Sequence, residues 1–223
     1  MTEHYAIWEH HPLNANATQS DCTFCQRSKI ADYILKETSN FCIVTDHAPL
    51  VEGHLLIIPK QHYPCYGAVP VSFDKELQAL KQEVRMFFAR FYDSPIIYWE
   101  HGVFRQTVFH AHLHCFPFKG ITYNLTEGLH GRVVTSQDDI RAWYREQGHY
   151  FYLEDPDHAL LFAPDMERYV HVIQKILWTG ASAHNGHKQW RSPQQRHEEG
   201  KSLIPVTAAK WQQFQQQEVD YAS

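Results

Sequence analysis

A chain of 223 residues is long enough for one generous domain, or for a compact domain with a large extension, and either can bury a hydrophobic core. A hydrophobic share of 43% beside 20% charged residues is that of a globular protein, and the formal charge of -5 excludes a global basic footprint for nucleic acid or for an anionic membrane. Any phosphate must therefore be met locally, and the residue in excess is histidine, with 17 copies alongside 14% aromatics.

The N-terminal stretch MTEHYAIWEHHPLN has no basic start followed by an apolar run, and the apolar runs LLII and ALLFA are too short to span a bilayer. A cytoplasmic protein with no membrane partner is the expectation. Five cysteines without a secretory signal argue for metal binding or plain burial over a disulfide framework. Two of them, Cys22 and Cys25 in CTFC, are spaced so that both sulfurs can reach one tetrahedral ion. A thioredoxin-like redox pair is the alternative, although the buried strand and helix that frame such a pair are missing.

Phe41 to Asp46 (FCIVTD) and His54 to Pro59 (HLLIIP) read as an antiparallel strand pair joined by a turn that contains Pro49 and Gly53. From Phe73 the apolar residues Phe73, Leu77, Leu80, Val84, Phe87, Phe88 and Phe91 fall at helical spacing, with Ser72 placed to cap and Asp74 and Glu76 suited to the positive end. Two further strands follow, at Ile96 to Glu100 and Thr107 to Phe116. Beyond Pro117 the pattern predicts helices at Gln137 to Glu146 and Met166 to Trp178, the latter stopped by Gly180. A strand pair is expected around Tyr150 to Ala163, turning at Asp155, Pro156 and Asp157, and a last helix near Ala208 to Val219. The class is α+β: an antiparallel sheet with a main helix, followed by an α/β C-terminal extension. The expected organisation is an N-terminal segment over 1–20, a domain over 21–118 and an extension over 119–223 packed upon it. The stretch from His184 to Glu199 and the glutamine-rich end read as solvated.

If Thr107 to Phe116 is a strand, His110, His112 and His114 share one face, and Ala111, Leu113 and Cys115 take the other. Histidines merely lining a polar sheet face would be the bland account; a three-histidine metal site is a sharper rival. Strict alternation with small or apolar residues disfavours the first.

The run HAHLHCF, residues 110–116, resembles the signature of the histidine triad (HIT) superfamily, in which three histidines alternate with hydrophobic residues. GHLLIIPKQH, from Gly53 to His62, is similar to the strand and loop that precede the main helix in that family. Asp21 to Phe118 carries the resemblance; the remainder resembles, more loosely, the C-terminal extensions of longer bacterial members. The resemblance implies a HIT-like sheet and nucleotidyl transfer in which the middle histidine, His112, attacks a nucleotide phosphate. An imidazole suits this, being a good nucleophile that is largely unprotonated near neutrality, with its second nitrogen donating to a fixed acceptor, usually a backbone carbonyl. The resemblance further places His114 and His54 toward the phosphate oxygens, with Gln106 and Thr107 as added donors. It places Asp46 at the ribose hydroxyls, with Phe24 and Val44 in a base pocket. Taken singly, His54 could be a strand-end histidine, Thr107 an ordinary strand residue, and Asp46 a turn initiator.

Zinc-containing relatives complete a Cys-x-x-Cys site with the histidine ending the PKxH block and the first of the triad, here His62 and His110. That resemblance implies a structural zinc on Cys22, Cys25, His62 and His110, and a division of labour in which His110 is structural while His112 and His114 act. Four protein ligands leave no open position. A catalytic metal on all three triad histidines would leave the cysteines unexplained.

Many small members carry an asparagine in the strand before the triad and a glycine pair before the glutamine; this chain has Trp99, Glu100, His101, Gly102 and Arg105 there, so its phosphate loop differs. Arg105 is a further candidate for a polyphosphate tail, with a solvated turn arginine as the alternative, and Arg191, in QWRS, resembles the tryptophan-arginine element late in long members, a candidate to return to the site. The expected function is hydrolysis of dinucleoside polyphosphates or nucleoside phosphoramidates through a covalent nucleotidyl-histidine, releasing a nucleoside monophosphate. A nucleotidyltransferase or phosphorylase shares the covalent step, but sugar-phosphate transferases carry glutamine where His114 stands. A binding module without turnover is the non-enzymatic alternative. A nucleotide is the expected partner, nucleic acid is disfavoured by the acidity, and a homodimer follows from the resemblance alone.

Overall fold

The structure is a computed structural model that describes residues 20–118, 131–167 and 193–222. Among the described residues, eight strands hydrogen-bond into one antiparallel sheet: β1 (Ile34–Glu37), β2 (Phe41–Thr45), β3 (Leu55–Pro59), β4 (Ile96–Glu100), β5 (Leu113–Pro117), β6 (Arg132–Val133), β7 (Phe151–Glu154) and β8 (Ala159–Phe162). Their order across the sheet is β1-β2-β3-β5-β4-β7-β8-β6.

The expected first pair is the β2–β3 hairpin, in register from Phe41 opposite Pro59 to Thr45 opposite Leu55. Both strands are buried along their whole length, which is why they read as continuous apolar runs and not as an alternation. The expected second hairpin is β7–β8, and β7 adds to β4 with Tyr98 opposite Glu154, so the sheet runs on into the chain's second half. β1 and β6 carry no such signal; both are short, incompletely buried and at the sheet's edges, where periodicity says little.

Strand alternation sorts the sheet's side chains into two layers. Phe41, Ile43, Leu55, Ile57, Ile96, Tyr98, Leu113 and Cys115 join the core beneath the main helix, α2 (Asp74–Tyr92), preceded in sequence by a single turn, α1 (Arg27–Ile30). Leu77, Leu80, Val84, Phe87 and Phe88 of α2 fill that layer at the expected spacing. Ser72 does not cap the helix: it lies in a 3-10 turn, Val71–Phe73, and the N-cap position falls on Phe73 with no side-chain cap. On the opposite face Ile97, Trp99, Phe116, Phe151, Leu153, Leu160 and Phe162 form a second cluster.

The strand expected over Thr107 to Phe116 is corrected: β5 begins only at Leu113, and residues 107–112 form an irregular approach to it. β3 ends at Pro59, and its ladder with β5 stops at Ile57 opposite Leu113. Extended alternation nonetheless persists upstream, since Ala111 is buried in the α2 layer with Leu113 and Cys115.

α3 (Gln137–Gln147) matches the expected helix, started by Asp139 accepting from the Thr135 and Ser136 amides and ended by Gly148 at φ 72. The last helix, α4 (Pro193–Ala222), is much longer than expected and runs through Pro205. Its Trp211 and Phe214 are buried against Phe87, at ring distances of 4.9 and 5.7 Å. The helix expected over Met166 to Trp178 is described only through Glu167; Gly180 and Arg191 lie outside the described residues. Among the described residues no helix is long and apolar enough to cross a membrane.

Candidate active site

The residues leading into β5 carry two adjoining clusters. In the first, Cys22, Cys25, His62 and His110 place one donor atom each within 4.8 Å of one another. The Nδ1 of His110 lies 3.4 Å from Cys22 Sγ and 3.5 Å from Cys25 Sγ, and His62 Nδ1 lies 3.3 Å from Cys25 Sγ. His110 Nε2 donates to the Pro59 carbonyl at 2.8 Å, so its proton sits there and a bare Nδ1 faces the two sulfurs. Two thiols and two imidazoles, one with its tautomer fixed by a carbonyl, suit a tetrahedral soft-to-borderline metal. Cys22, His62 and His110 are buried, and burial lowers the pKa of His62 and takes His110 down to about 3, keeping a metal-ready lone pair on each ring.

The second cluster contains His112. Its Nδ1 donates to the carbonyl of His110 at 2.6 Å, which leaves Nε2 bare. The ring is 7% exposed, and burial lowers its pKa against the opposing pull of that hydrogen bond and of Asp46. His112 is thus a neutral imidazole with one oriented lone pair, and it takes no part in the cysteine cluster. Phe24 stands edge-on to both His110 and His112, at 5.7 and 5.5 Å between centroids. Phe24 also packs against a buried patch of Cys42, Val44, Leu56 and Ile58.

His114, on β5, has its ring 4.9 Å from that of His112. A proton order follows from its partners. His54 Nδ1 accepts from the Leu50 amide at 3.2 Å, so its proton is on Nε2, which donates to His114 Nδ1 at 3.0 Å. The remaining proton of His114 is on Nε2, a buried atom with no hydrogen-bond partner. A buried N–H left unpaired costs about 1–3 kcal/mol, and an oxygen of a bound anion beside His112 would satisfy it. Asp46, His54 and His114 also lie close enough to hold a metal, but the proton required on His54 Nε2 by the Leu50 contact opposes ligation there.

Asp46 uses one oxygen to accept from the Ala48 amide at 2.7 Å, which shapes the β2–β3 loop, and sets the other 3.6 Å from His54 Nε2. Burial drives His54 down to about 4 against the pull of Asp46, and His54 stacks on Phe116 at 4.2 Å. Gln106, in the approach to the triad, has both amide atoms buried without partners. Thr107 is exposed in the same segment.

Two residues were not picked out as site members. His101, just past β4, places its ring 5.6 Å from His114 and 6.4 Å from His112, and burial pushes its pKa to about 3. The pairing of Trp99 with His114 puts the end of β4 beside the triad, a neighbourhood that appears only when strand partners are known. Arg196, on α4, acts electrostatically on both His54 and His114. The loop after His101 is held in rare backbone conformations, with Gly102, Val103 and Arg105 at φ 50, 82 and 51. A side chain at Gly102 would fall on the carbonyl and ring of Tyr150, whose amide donates to the Gly102 carbonyl at 3.1 Å.

The family described as "Protein similar to CwfJ C-terminal" matches residues 10–127, more than half of the chain. An uncharacterised HIT-like protein of Mycoplasma genitalium is 32% identical over 122 residues, which cover 49% of this chain and 84% of that protein. An adenylylsulfatase of Arabidopsis thaliana is 31% identical over 115 residues, covering 48% of this chain and 57% of the relative. An adenosine 5'-monophosphoramidase of Saccharomyces cerevisiae is 31% identical over 109 residues, covering 47% and 68%. With the three histidines, the paired strands before them and a match over more than half its length, the chain belongs to the histidine triad superfamily, within the family similar to the CwfJ C-terminus.

Proposed function

We propose that this chain is a nucleotide hydrolase that works through a nucleotidyl-histidine intermediate on His112, with dinucleoside polyphosphates or nucleoside phosphoramidates as substrates. The observation that carries this reading is the bare Nε2 of His112, set by the 2.6 Å hydrogen bond from Nδ1 to the His110 carbonyl. The lone pair attacks the phosphorus that bears the nucleoside, and the leaving group departs with the electrons of the bond it loses. Water then attacks the same phosphorus, the phosphorus–nitrogen bond breaks back onto Nε2, and a nucleoside monophosphate is released. His114 Nε2–H meets charge on the phosphate oxygens, with His54 ordering its protons and Gln106 and Thr107 offering further donors. Asp46 accepts from the ribose, and Phe24 and Val44 flank the base.

The names of the Arabidopsis and yeast relatives, which cleave adenylyl–sulfate and adenylyl–nitrogen bonds respectively, support transfer of a nucleotidyl group as the common chemistry. Cys22, Cys25, His62 and His110 would hold a zinc ion, which would fix the loop preceding the triad and take no part in bond breaking. None of the five cysteines is in a disulfide, which suits a reducing compartment, and we place the protein in the cytoplasm. A transferase or phosphorylase would share the first step; phosphate-dependent product would reveal it.

Intact-mass spectrometry after brief mixing with nucleotide conjugates tests the reading. Wild type should gain one nucleoside monophosphate, and His112→Ala should gain none. An equal adduct on both proteins, or turnover that survives the substitution, sinks it.

A further inference from the structure

We propose that Arg196, carried to the histidines by the first turns of α4, binds a phosphate of the leaving group and makes the site select nucleoside polyphosphates over phosphoramidates. This rests on the hydrolase reading above.

α4 grips the β2–β3 loop, the segment whose two ends carry Asp46 and His54. His197 Nδ1 bonds the His47 carbonyl at 3.1 Å, and the two histidine rings lie 5.8 Å apart. Gly200 comes so close that a Cβ there would sit 2.7 Å from Pro49 Cδ and 3.2 Å from the His47 carbonyl. The Gly53 amide donates to Thr207 Oγ1 at 3.0 Å, and Lys210 pairs with Glu52 at 2.6 Å. These contacts bracket the loop, and Arg196, half-buried, stands beside His197 and one helical turn before Gly200, on the face of α4 that meets the loop. Its charge presses the His54 and His114 rings toward the neutral form.

Among the described residues, the titratable side chains packed around the His54–His114 pair are imidazoles and one carboxylate. Burial holds His54, His101 and His114 below their ordinary pKa, so they supply dipoles and not charge, and a carboxylate oxygen of Asp46 lies 3.6 Å from His54 Nε2. That set is adequate for one phosphorus bearing a single ionised oxygen, and for an amine that leaves uncharged once protonated. An anhydride is different. When His112 Nε2 bonds to the α-phosphorus, the bond to the bridging oxygen breaks and its electron pair leaves on the next phosphate, which gains charge. Water later restores His112, its proton passing to solvent. A guanidinium matches two oxygens of that departing phosphate in one plane, which an imidazole cannot do.

The test compares kcat/KM for a dinucleoside polyphosphate and for a phosphoramidate of the same nucleoside in wild type, Arg196→Gln and Arg196→Lys. The anhydride-to-phosphoramidate ratio should fall about tenfold or more in Arg196→Gln and recover in part in Arg196→Lys. Losses that are equal on both substrates, or absent on both, overturn the proposal. Binding of the intact dinucleoside polyphosphate to His112→Ala, with and without Arg196→Gln, reads the contact apart from turnover. Affinity should drop about tenfold and lose most of its salt dependence. Unchanged affinity overturns the proposal even if His112 is the nucleophile. Weakened affinity with no nucleotide adduct on wild type would instead retain the Arg196 contact and remove the hydrolase reading.

Discussion

Glu100 is completely buried at the end of β4, where it accepts from the Tyr66 amide at 2.8 Å and the Tyr150 hydroxyl at 2.6 Å. Burial raises its pKa from 4.5 to about 7, and the two hydrogen bonds oppose that rise only in part. Between those values the folded chain binds more protons here than the unfolded chain, so this group's contribution falls as pH rises and levels off above about 7. The difference amounts to at most about 3 kcal/mol. Urea unfolding at pH 5 and pH 8 should therefore show wild type losing stability relative to Glu100→Gln as pH increases; a gap that stays constant would rule this out. No local pattern announces such a residue. Glu100 reads as the polar end of a strand, and only Tyr66 and Tyr150, brought from 34 and 50 residues away, make it an interior carboxylate. Cys22 and Cys25 are the opposite case, because their spacing lets both sulfurs reach one ion, and the structure brings donor atoms of His62 and His110 within 4.8 Å of them.

The β2–β3 hairpin, α2, α3 and the β7–β8 hairpin were legible because each has its own period, turn or cap. HAHLHCF misled about its extent. Alternation tells which way side chains face, and it does so correctly from Ala111 onward, but it does not tell whether the backbones stay paired; here the β3–β5 ladder stops at Ile57 although β3 runs on to Pro59, and the Ala111 amide donates to the Tyr63 carbonyl instead. α4 was under-read because its first half is polar and contains Gly200 and Pro205, both poor in a helix interior. What holds that half is contact with the β2–β3 loop, and Thr207 is its clearest anchor. Its hydroxyl accepts from the buried Gly53 amide while donating to the Leu203 carbonyl at 3.0 Å. Thr207→Val keeps the shape and strands the amide, so unfolding free energy should drop by about 1–3 kcal/mol. Chemical denaturation checks this, and an unchanged midpoint would mean the amide finds another partner.

The Cys22/Cys25/His62/His110 cluster joins the segment before β1, the loop after β3 and the approach to β5, three stretches up to 88 residues apart. A metal there would act as a cross-link through the centre of the domain. Elemental analysis of purified protein should find one zinc per chain. Stripping it with a strong chelator should lower Tm by more than about 5 °C and expose two thiols to titration. Full thermal stability in metal-free protein would contradict the structural role. Packing also links distant stretches, since Trp211 and Phe214 of α4 complete the layer around Phe87 of α2. Phe87→Ala should cost about 3–5 kcal/mol and loosen α4 as well, visible as faster amide exchange in both helices.

The grip of α4 on the β2–β3 loop has a temporal side. His197 meets His47 across 150 positions of sequence. On a ribosome, the hairpin and the triad histidines are made long before the helix that grips the hairpin loop, so on the proposal above a partly synthesised chain would present His112 without Arg196. The loop that carries Asp46 and His54 thus gains its Thr207 and His197 anchors only when the last helix has been made.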